Sequence, residues 1–264
     1  MSARRCPVGM AFWLLRGARL PDLVAWLTRH EFGVLSLHSL HAQADPLEKR
    51  DAAAAMKEAG LVIGYHPNFG KTLDTDEVAR VCDDVLWWHE NAGGVRACLS
   101  DPLPGDWPAC VALVKEMSRR LAPHGIRTGL ENAFGTGCVY KSVADAARLQ
   151  QECQTPLLAH LLDVGHTNIE HGGKVAEFVR QLPLEIGEVH LTDNHGEKDE
   201  HRALGAGNVD LPALFDALRQ INYTGPLTVE VCVDILHGLY AADIRNERET
   251  EPILRSRDRI VGLL

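Results

Sequence analysis

The sequence predicts an α/β fold, a single (β/α)8 TIM barrel, on the basis of three observations. Eight apolar runs bounded by turn residues occur near 7–13, 33–38, 61–66, 94–99, 127–132, 157–163, 186–191 and 226–231. Segments with helical spacing separate the runs, and no Asn-Gly hairpin signal joins neighbouring ones. Such alternation is typical of a parallel sheet, and a closed barrel commonly needs about 250 residues. The chain has 264 residues, a length that would also allow two small domains, but no Pro/Ser-rich linker divides it, so we expect one domain over residues 1–264.

An open, doubly wound sheet is the alternative architecture. Such a sheet usually has a glycine-rich phosphate loop directly after its first strand. Here the first run continues as AFWLLRGARL, which lacks that loop. The closed barrel is therefore the preferred prediction.

Two helices have clear sequence signals. The alanine-rich segment DPLEKRDAAAAMKEAG favours a helix after the second run. After the seventh run, Asp210 is a suitable N-cap and Pro212 falls in the first turn, followed by apolar residues at helical spacing: Leu211, Leu214, Phe215, Leu218 and Ile221. The polar segment between that run and this helix is predicted to be a loop that carries chemistry.

Composition limits the classes of partner. The formal net charge is −9 and the sequence pI about 5.8, so the overall field repels nucleic acid and anionic membranes, and we expect neither as a partner. The run from Cys6 to Leu15 resembles an export signal, but Arg16 follows and no cleavage site is evident, so it is interpreted as the first strand. The seven cysteines are scattered without a CxxC pair, which favours a reducing, cytoplasmic location.

The residues at the ends of the eight runs are predicted to face one mouth of the barrel. They are Trp13, His38, His66, Ser100, Glu131, Asp163, His190 and Glu230. Six of these eight are histidine or carboxylate, although the runs themselves are apolar. Because unpaired buried charges cost several kcal/mol, a shared cation is the simplest explanation.

Four of these residues form the predicted metal site: Glu131, Asp163, His190 and Glu230. Together they offer nitrogen and oxygen ligands suited to zinc, manganese, cobalt or magnesium, without choosing among them. The alternative is that the four are unrelated structural residues, such as a loop-bracing glutamate and a core histidine.

A second group of polar residues has less specific signals. His166, Asp199 and His201 are predicted to form a second cation site or to contact substrate, although a solvated loop would also explain the run GEKDEH. His66, His38, Trp13 and Arg202 are predicted to bind substrate, and Arg202 could instead pair with Asp199.

Four segments, in this order, resemble the xylose isomerase-like TIM-barrel superfamily: ENAFG, LLDVGHTNI, VHLTDNHGEKDEHRALGAGNVD and GPLTVE. This superfamily includes sugar phosphate isomerases and epimerases and also endonuclease IV, and the resemblance covers roughly residues 127–231. Resemblance to the ketose 3-epimerases implies that the four residues of the predicted metal site bind one ion. It also implies that Glu131 and Glu230 act as an acid/base pair on opposite faces of the sugar, and that His166 contacts a substrate oxygen.

Resemblance to endonuclease IV implies a different site with three zinc ions. His66 would hold one ion, and His166, Asp199 and His201 another. That enzyme also needs a histidine at the end of the following strand, where this chain has VRACLSD. The three-zinc site is therefore expected to be incomplete.

These observations predict a divalent-metal-dependent isomerase or epimerase that acts on a small sugar, polyol or hydroxy-carbonyl compound through a metal-stabilised enediolate. The same intermediate could expel a β-hydroxyl, as in a dehydratase of the inosose or dehydroshikimate type. Two further hypotheses are an endonuclease IV-like phosphodiesterase and a non-catalytic sugar-binding or partner subunit. The expected partner is a carbohydrate-like small molecule, and self-association to a homo-oligomer stays open.

Overall fold

The computed structural model describes residues 6–16, 19–39, 44–233 and 240–264. The predicted closed parallel barrel is confirmed. In their order around the barrel, its strands are β1 (Val8–Ala11), β3 (Val34–His38), β4 (Val62–His66), β5 (Val95–Ser100), β6 (Arg127–Glu131), β7 (Leu158–Asp163), β8 (Glu185–Leu191) and β9 (Leu227–Val229). Two short strands, β2 (Leu15–Arg16) and β10 (Ala242–Asp243), pair with each other outside the barrel.

Helices follow the barrel strands and surround them. They are α1 (Leu20–Arg29), α2 (Pro46–Ala59), α3 (Thr75–Asn91), α4 (Trp107–Leu121), α5 (Val143–Cys153), α6 (Val164–Glu170), α7 (Val175–Gln181), α8 (Leu211–Gln220) and α9 (Glu247–Leu263). Both helices with clear sequence signals are confirmed. Asp45 caps α2, Gly60 ends it with a φ of +66°, and Asp210 accepts a hydrogen bond from the amide of Ala213 at the start of α8.

The barrel closes because its last strand pairs with its first. Val8 lies opposite Leu227 and Met10 opposite Val229, in parallel register. Within the sheet, a Cβ at Gly129 would overlap the carbonyl oxygen of Ala159, so glycine is needed where β6 approaches β7.

The core has two parts. A large apolar cluster lies between the sheet and the helices. A small one, formed by Ala97, Leu99, Ala159 and Leu161, fills the barrel interior between β5 and β7. Because apolar side chains occupy this interior, the polar side chains at the strand ends lie above a packed floor rather than over a channel.

Three smaller features of the fold concern the end of the first strand, the cysteines and the length and polarity of the helices. Trp13 was predicted to end the first strand, but β1 ends at Ala11 and Trp13 lies in the short 3-10 helix Phe12–Leu14. All seven cysteines have free thiols. Within the described residues, every helix is too short or too polar to cross a bilayer.

The buried pair Tyr140 and His160 provides a test of packing in the outer layer. The Tyr140 hydroxyl lies 2.7 Å from Nδ1 of His160 and shares a hydrogen bond with it, and burial lowers the pKa of His160 to about 3, so the ring is neutral. Tyr140→Phe should lower the free energy of unfolding by about 1–3 kcal/mol, because Nδ1 loses its partner. Urea unfolding measures this effect, with Tyr240→Phe, at an exposed tyrosine, as the control. Equal stabilities of the two variants would contradict the prediction.

Candidate metal centre and active site

The four predicted metal ligands meet at the carboxyl ends of neighbouring strands. Glu131 ends β6, Asp163 ends β7, His190 lies near the end of β8, and Glu230 directly follows β9. They are 4%, 0%, 0% and 8% exposed, respectively. Parallel strands bring these ends to one mouth, so residues distant in the sequence share one buried site.

Ligand atoms of Glu131, Asp163 and His190 all lie within 4.8 Å of one another. Oε2 of Glu230 lies 3.2 Å from Nδ1 of His190. Glu230 therefore reaches this group of three through His190 and stands beside it rather than within it.

Local structure aims Asp163 into the site. One carboxylate oxygen, Oδ1, caps α6 by accepting a hydrogen bond of 2.6 Å from the amide of His166. The preceding strand is held by Asn132, whose Oδ1 accepts from the amide of Asp163 at 2.9 Å. Oδ2 of Asp163 is left without a hydrogen-bond partner in the described part of the chain, so it is available to a ligand.

Other buried polar atoms of the site share this property. Within the described residues, Nδ1 of His190 and Oε2 of Glu230 also make no hydrogen bond. Buried polar atoms in folded proteins are normally partnered, so several such atoms in one place indicate a bound group. Imidazole nitrogen and carboxylate oxygen are ligands for zinc, manganese and similar ions, and the donor set therefore fits a divalent cation.

The electrostatics of the site favour a cation as well. Burial and the nearby carboxylates Asp101 and Asp163 raise the pKa of Glu131 to about 8. Burial and the charge of Glu230 raise the pKa of Asp163 to about 6. Burial also opposes ionisation of Glu230, but neighbouring His190 outweighs it and lowers the pKa of Glu230 to about 2. A divalent cation would stabilise these carboxylates in their ionised form together.

A second group adjoins the first through Glu131. Nε2 of His66 lies 3.4 Å from Oε2 of Glu131 and 3.5 Å from Oδ2 of Asp101, and the three residues can offer ligand atoms within 4.8 Å of one another. Burial alone would lower the pKa of His66, but the two carboxylates raise it to about 9. Asp101 was not predicted from the sequence, because the resemblance to endonuclease IV calls for a histidine in the segment VRACLSD. A carboxylate at the end of that segment supplies a ligand-type side chain instead.

The predicted trio His166, Asp199 and His201 lies on the other side of Glu131. Oδ2 of Asp199 is 2.8 Å from Nε2 of His201 and 3.5 Å from Nε2 of His166. Burial opposes its ionisation, but both imidazoles outweigh burial and hold the pKa of Asp199 well below its usual range. The three side chains are only 15–22% exposed, so a fully solvated loop does not describe them.

Asp193 shapes the loop that carries Asp199 and His201. This buried carboxylate accepts hydrogen bonds from the amides of Gly205 and Val209, at 2.7 and 3.1 Å. Its backbone pairs with that of Arg202 in an isolated antiparallel bridge. These contacts fold the loop back over the end of β8.

The predicted substrate-binding residues lie in different places. The Trp13 ring stacks on His66 with centroids 5.4 Å apart, and its centroid is also 5.4 Å from His38 and 5.8 Å from His190. These rings form an aromatic wall beside the metal ligands. Arg202 instead pairs with Glu200 at 2.8 Å, and the suggested pair with Asp199 is wrong. Its role in substrate binding stays a prediction.

Comparison with known proteins shows the family of this chain. Residues 24–251 match the family described as xylose isomerase-like TIM barrel. The chain belongs to this family. An L-ribulose 3-epimerase from Methylomonas sp. (strain DH-1) is 32% identical over 166 residues, which cover 59% of this chain and 55% of the relative. The match thus spans about half the length of that relative.

Solved structures show the same fold at low sequence identity. A D-psicose 3-epimerase from Clostridium cellulolyticum H10, crystallised with D-tagatose, has a TM-score of 0.79 at 14% identity and covers 98% of this chain and 99% of its own. The IOLI protein, crystallised with a zinc atom, has a TM-score of 0.72 at 15% identity and covers 97% of each chain. At such identities these likenesses concern the fold.

Proposed function

We propose that this protein is a divalent-metal-dependent isomerase or epimerase of a small sugar, most specifically a ketose 3-epimerase. One observation carries the proposal. The buried carboxylates Glu131 and Glu230 stand three strands apart around the eight-stranded barrel, on either side of Asp163 and His190. The 3-epimerase relative in Methylomonas supports the choice of reaction.

In the proposed site, Glu131, Asp163, His190 and Glu230 hold the ion. Once bound, the ion supplies Lewis acidity that makes the proton on the carbon next to a ketose carbonyl easier to remove. Glu131 or Glu230 removes this proton from one face of the sugar. The other glutamate then delivers a proton to the opposite face of the enediolate, which inverts the configuration at that carbon.

Other residues position the sugar. His166 lies 3.4 Å from Glu131 and is in a position to donate to a substrate oxygen beside it. The aromatic wall of Trp13, His38 and His66 covers the apolar face of the sugar and limits access of water to the reacting carbon.

Solvent exchange tests the proposed reaction directly. The protein is incubated with Mn²⁺ and with L-ribulose, D-psicose or D-tagatose in deuterated water. Deuterium at C3 together with the C3 epimer is the expected result. Exchange at C1 with an aldose product would favour an isomerase, and loss of water to an unsaturated product would favour a dehydratase. No exchange and no product with any ketose would overturn the proposal.

A second candidate function, hydrolysis of a phosphodiester, is favoured by one observation. His66, Asp101 and Glu131 offer a second set of ligands beside the first, and phosphoesterases often use two ions about 3.5–4 Å apart. The net charge of −9 opposes a nucleic-acid substrate. Cleavage of abasic DNA by the zinc-loaded protein would support this candidate over the epimerase.

Trp13→Ala tests the aromatic wall. Because Trp13 stacks on His66 beside the ligands, its loss should raise KM for the ketose about tenfold with a smaller change in kcat. Steady-state kinetics measures both constants. Trp87→Ala is the control, since Trp87 lies on α3 against Lys49, away from the mouth. A KM equal to that of wild type would show that Trp13 does not contact the substrate.

A further inference from the structure

Glu188 is a buried carboxylate that the proposed reaction does not use. It lies on β8 two residues before His190 and is 2% exposed. Side chains two residues apart on a strand point to the same face of the sheet, so Glu188 lies in the barrel interior beneath His190. The sequence contained a signal for it, because a charge interrupts the apolar run IGEVHL.

The surroundings of Glu188 are built around its carboxylate. Its Oε1 accepts a hydrogen bond of 2.6 Å from the hydroxyl of Thr228 on β9. A Cβ at Gly64 on β4 would overlap Oε2, so glycine leaves the space that the carboxylate fills. Since burying an unpaired carboxylate costs several kcal/mol, this arrangement requires a cationic or hydrogen-bonding partner.

His190 is that partner. Its Nε2 lies 3.5 Å from Oε1 of Glu188, which is an ion-pairing distance without hydrogen-bond geometry in this structure, and within the described residues no other basic side chain comes within ion-pairing distance of Glu188. The other ring nitrogen, Nδ1, lies 3.2 Å from Oε2 of Glu230 on the side of the metal site. The two nitrogens of His190 therefore face two different carboxylates: Nε2 faces Glu188 below the site, and Nδ1 faces Glu230 on the side of the metal ligands.

The contacts of the two nitrogens bear on which nitrogen of His190 can bind a metal. A histidine binds a metal through one nitrogen, and the hydrogen bond made by the other nitrogen fixes which one is free to do so. When Nε2–H is directed to Glu188, the lone pair of Nδ1 faces Glu230, one of the four proposed ligands.

We infer that Glu188 is a positioning residue that accepts the Nε2–H of His190 and so fixes Nδ1 as the metal-binding nitrogen. The inference rests on the metal site of the proposed function, but not on the identity of the sugar. Glu188 acts through His190 and contacts neither the substrate nor the ion.

Metal affinity tests this role without any sugar. Chelator-treated wild type and Glu188→Gln are titrated with Mn²⁺ alone by calorimetry, and with Co²⁺ while its visible spectrum is recorded. The Kd for Mn²⁺ should rise about 10–100-fold in the variant, because outer partners of metal ligands typically contribute this much. The Co²⁺ spectrum should also change, since a neutral amide holds the Nε2–H of the coordinating histidine less tightly than a carboxylate does.

A matched control separates positioning from packing. Thr128 on β6 is also buried and polar, but its side chain points to the other face of the sheet from Glu131. Thr128→Val should leave the Kd for Mn²⁺ unchanged even if it lowers the melting temperature. If Glu188→Gln does not fold, Thr228→Val replaces it, because this change removes the hydroxyl that holds Oε1 and should raise the Kd a few-fold.

The outcomes distinguish this inference from the proposed function. Equal Mn²⁺ affinity in wild type and in the folded Glu188 variant would overturn the inference and leave the epimerase proposal intact. Weakened binding in the variant, with no epimerisation by wild type, would support the inference and overturn the proposed reaction. A wild type that binds neither Mn²⁺ nor Co²⁺ would overturn both.

Discussion

Glu131→Gln and Glu230→Gln are each expected to lower kcat/KM for C3 epimerisation by about 10³-fold or more. Each amide keeps the shape of the side chain but can neither remove a carbon-bound proton nor return one. General acid–base catalysis alone typically contributes about 10²–10⁴-fold, and each variant also weakens a metal ligand. This is the largest effect expected of any single substitution in the chain.

The two variants also differ from each other in an informative way. The C3 proton of one epimer faces Glu131, and that of the other epimer faces Glu230. Each variant should therefore lower deuterium exchange most strongly for the epimer whose C3 proton faces the substituted residue. Proton NMR in deuterated water measures exchange for both epimers separately. Glu152→Gln is the control, because this carboxylate lies on α5 and pairs with Trp107 and Arg148 outside the mouth. Full activity in either Glu131→Gln or Glu230→Gln would exclude that residue as acid or base.

Removal of divalent ions is expected to lower the rate of epimerisation by about 10³-fold or more, and Mn²⁺, Co²⁺, Zn²⁺ or Mg²⁺ should restore it. The reason is that Lewis-acid assistance is worth several kcal/mol of the barrier. The ion should also stabilise the fold, by about 2.7 kcal/mol at a free concentration 100 times its Kd. The crowded carboxylates of the site provide this stabilisation, since the bound cation offsets their mutual repulsion.

Thermal unfolding and activity with and without EDTA measure both effects of ion removal. His190→Asn should lose most of the metal-dependent rise in melting temperature. His195→Asn is the matched control, because His195 lies in the neighbouring loop and pairs with Glu200 rather than with the metal site. An unchanged melting temperature and full activity in EDTA would contradict the metal-dependent mechanism.

The barrel was predictable because its signals are local. An apolar run between turn residues predicts a strand whatever it packs against, and all eight predicted runs overlap the strands of the closed sheet. The end of the first strand was misplaced because Phe12, Trp13 and Leu14 are apolar, although they form a 3-10 turn. Hydrophobicity alone does not distinguish these two backbone conformations.

The candidate site was partly predictable for a related reason. A histidine or carboxylate at the end of a parallel strand points into the shared mouth, so Glu131, Asp163 and His190 could be grouped without coordinates. The pairing of Arg202 was not predictable, because Asp199 and Glu200 lie three and two residues before it, both within reach, and loop geometry decides between them. In the folded loop, the backbone of Arg202 pairs with that of Asp193, and the Arg202 guanidinium lies 2.8 Å from the Glu200 carboxylate.

Local signals in the chain were enough to predict the closed parallel barrel, the order of its elements and the strand ends that carry ionisable groups, because periodicity and turn residues act over short distances. The three-dimensional structure was needed to show that Asp101 joins His66, that Glu188 lies beneath His190, and that Glu230 stands beside the group of three ligands. These relations depend on sheet register and on the direction of each side chain across the barrel. Both are set by packing between strands that are far apart in the chain.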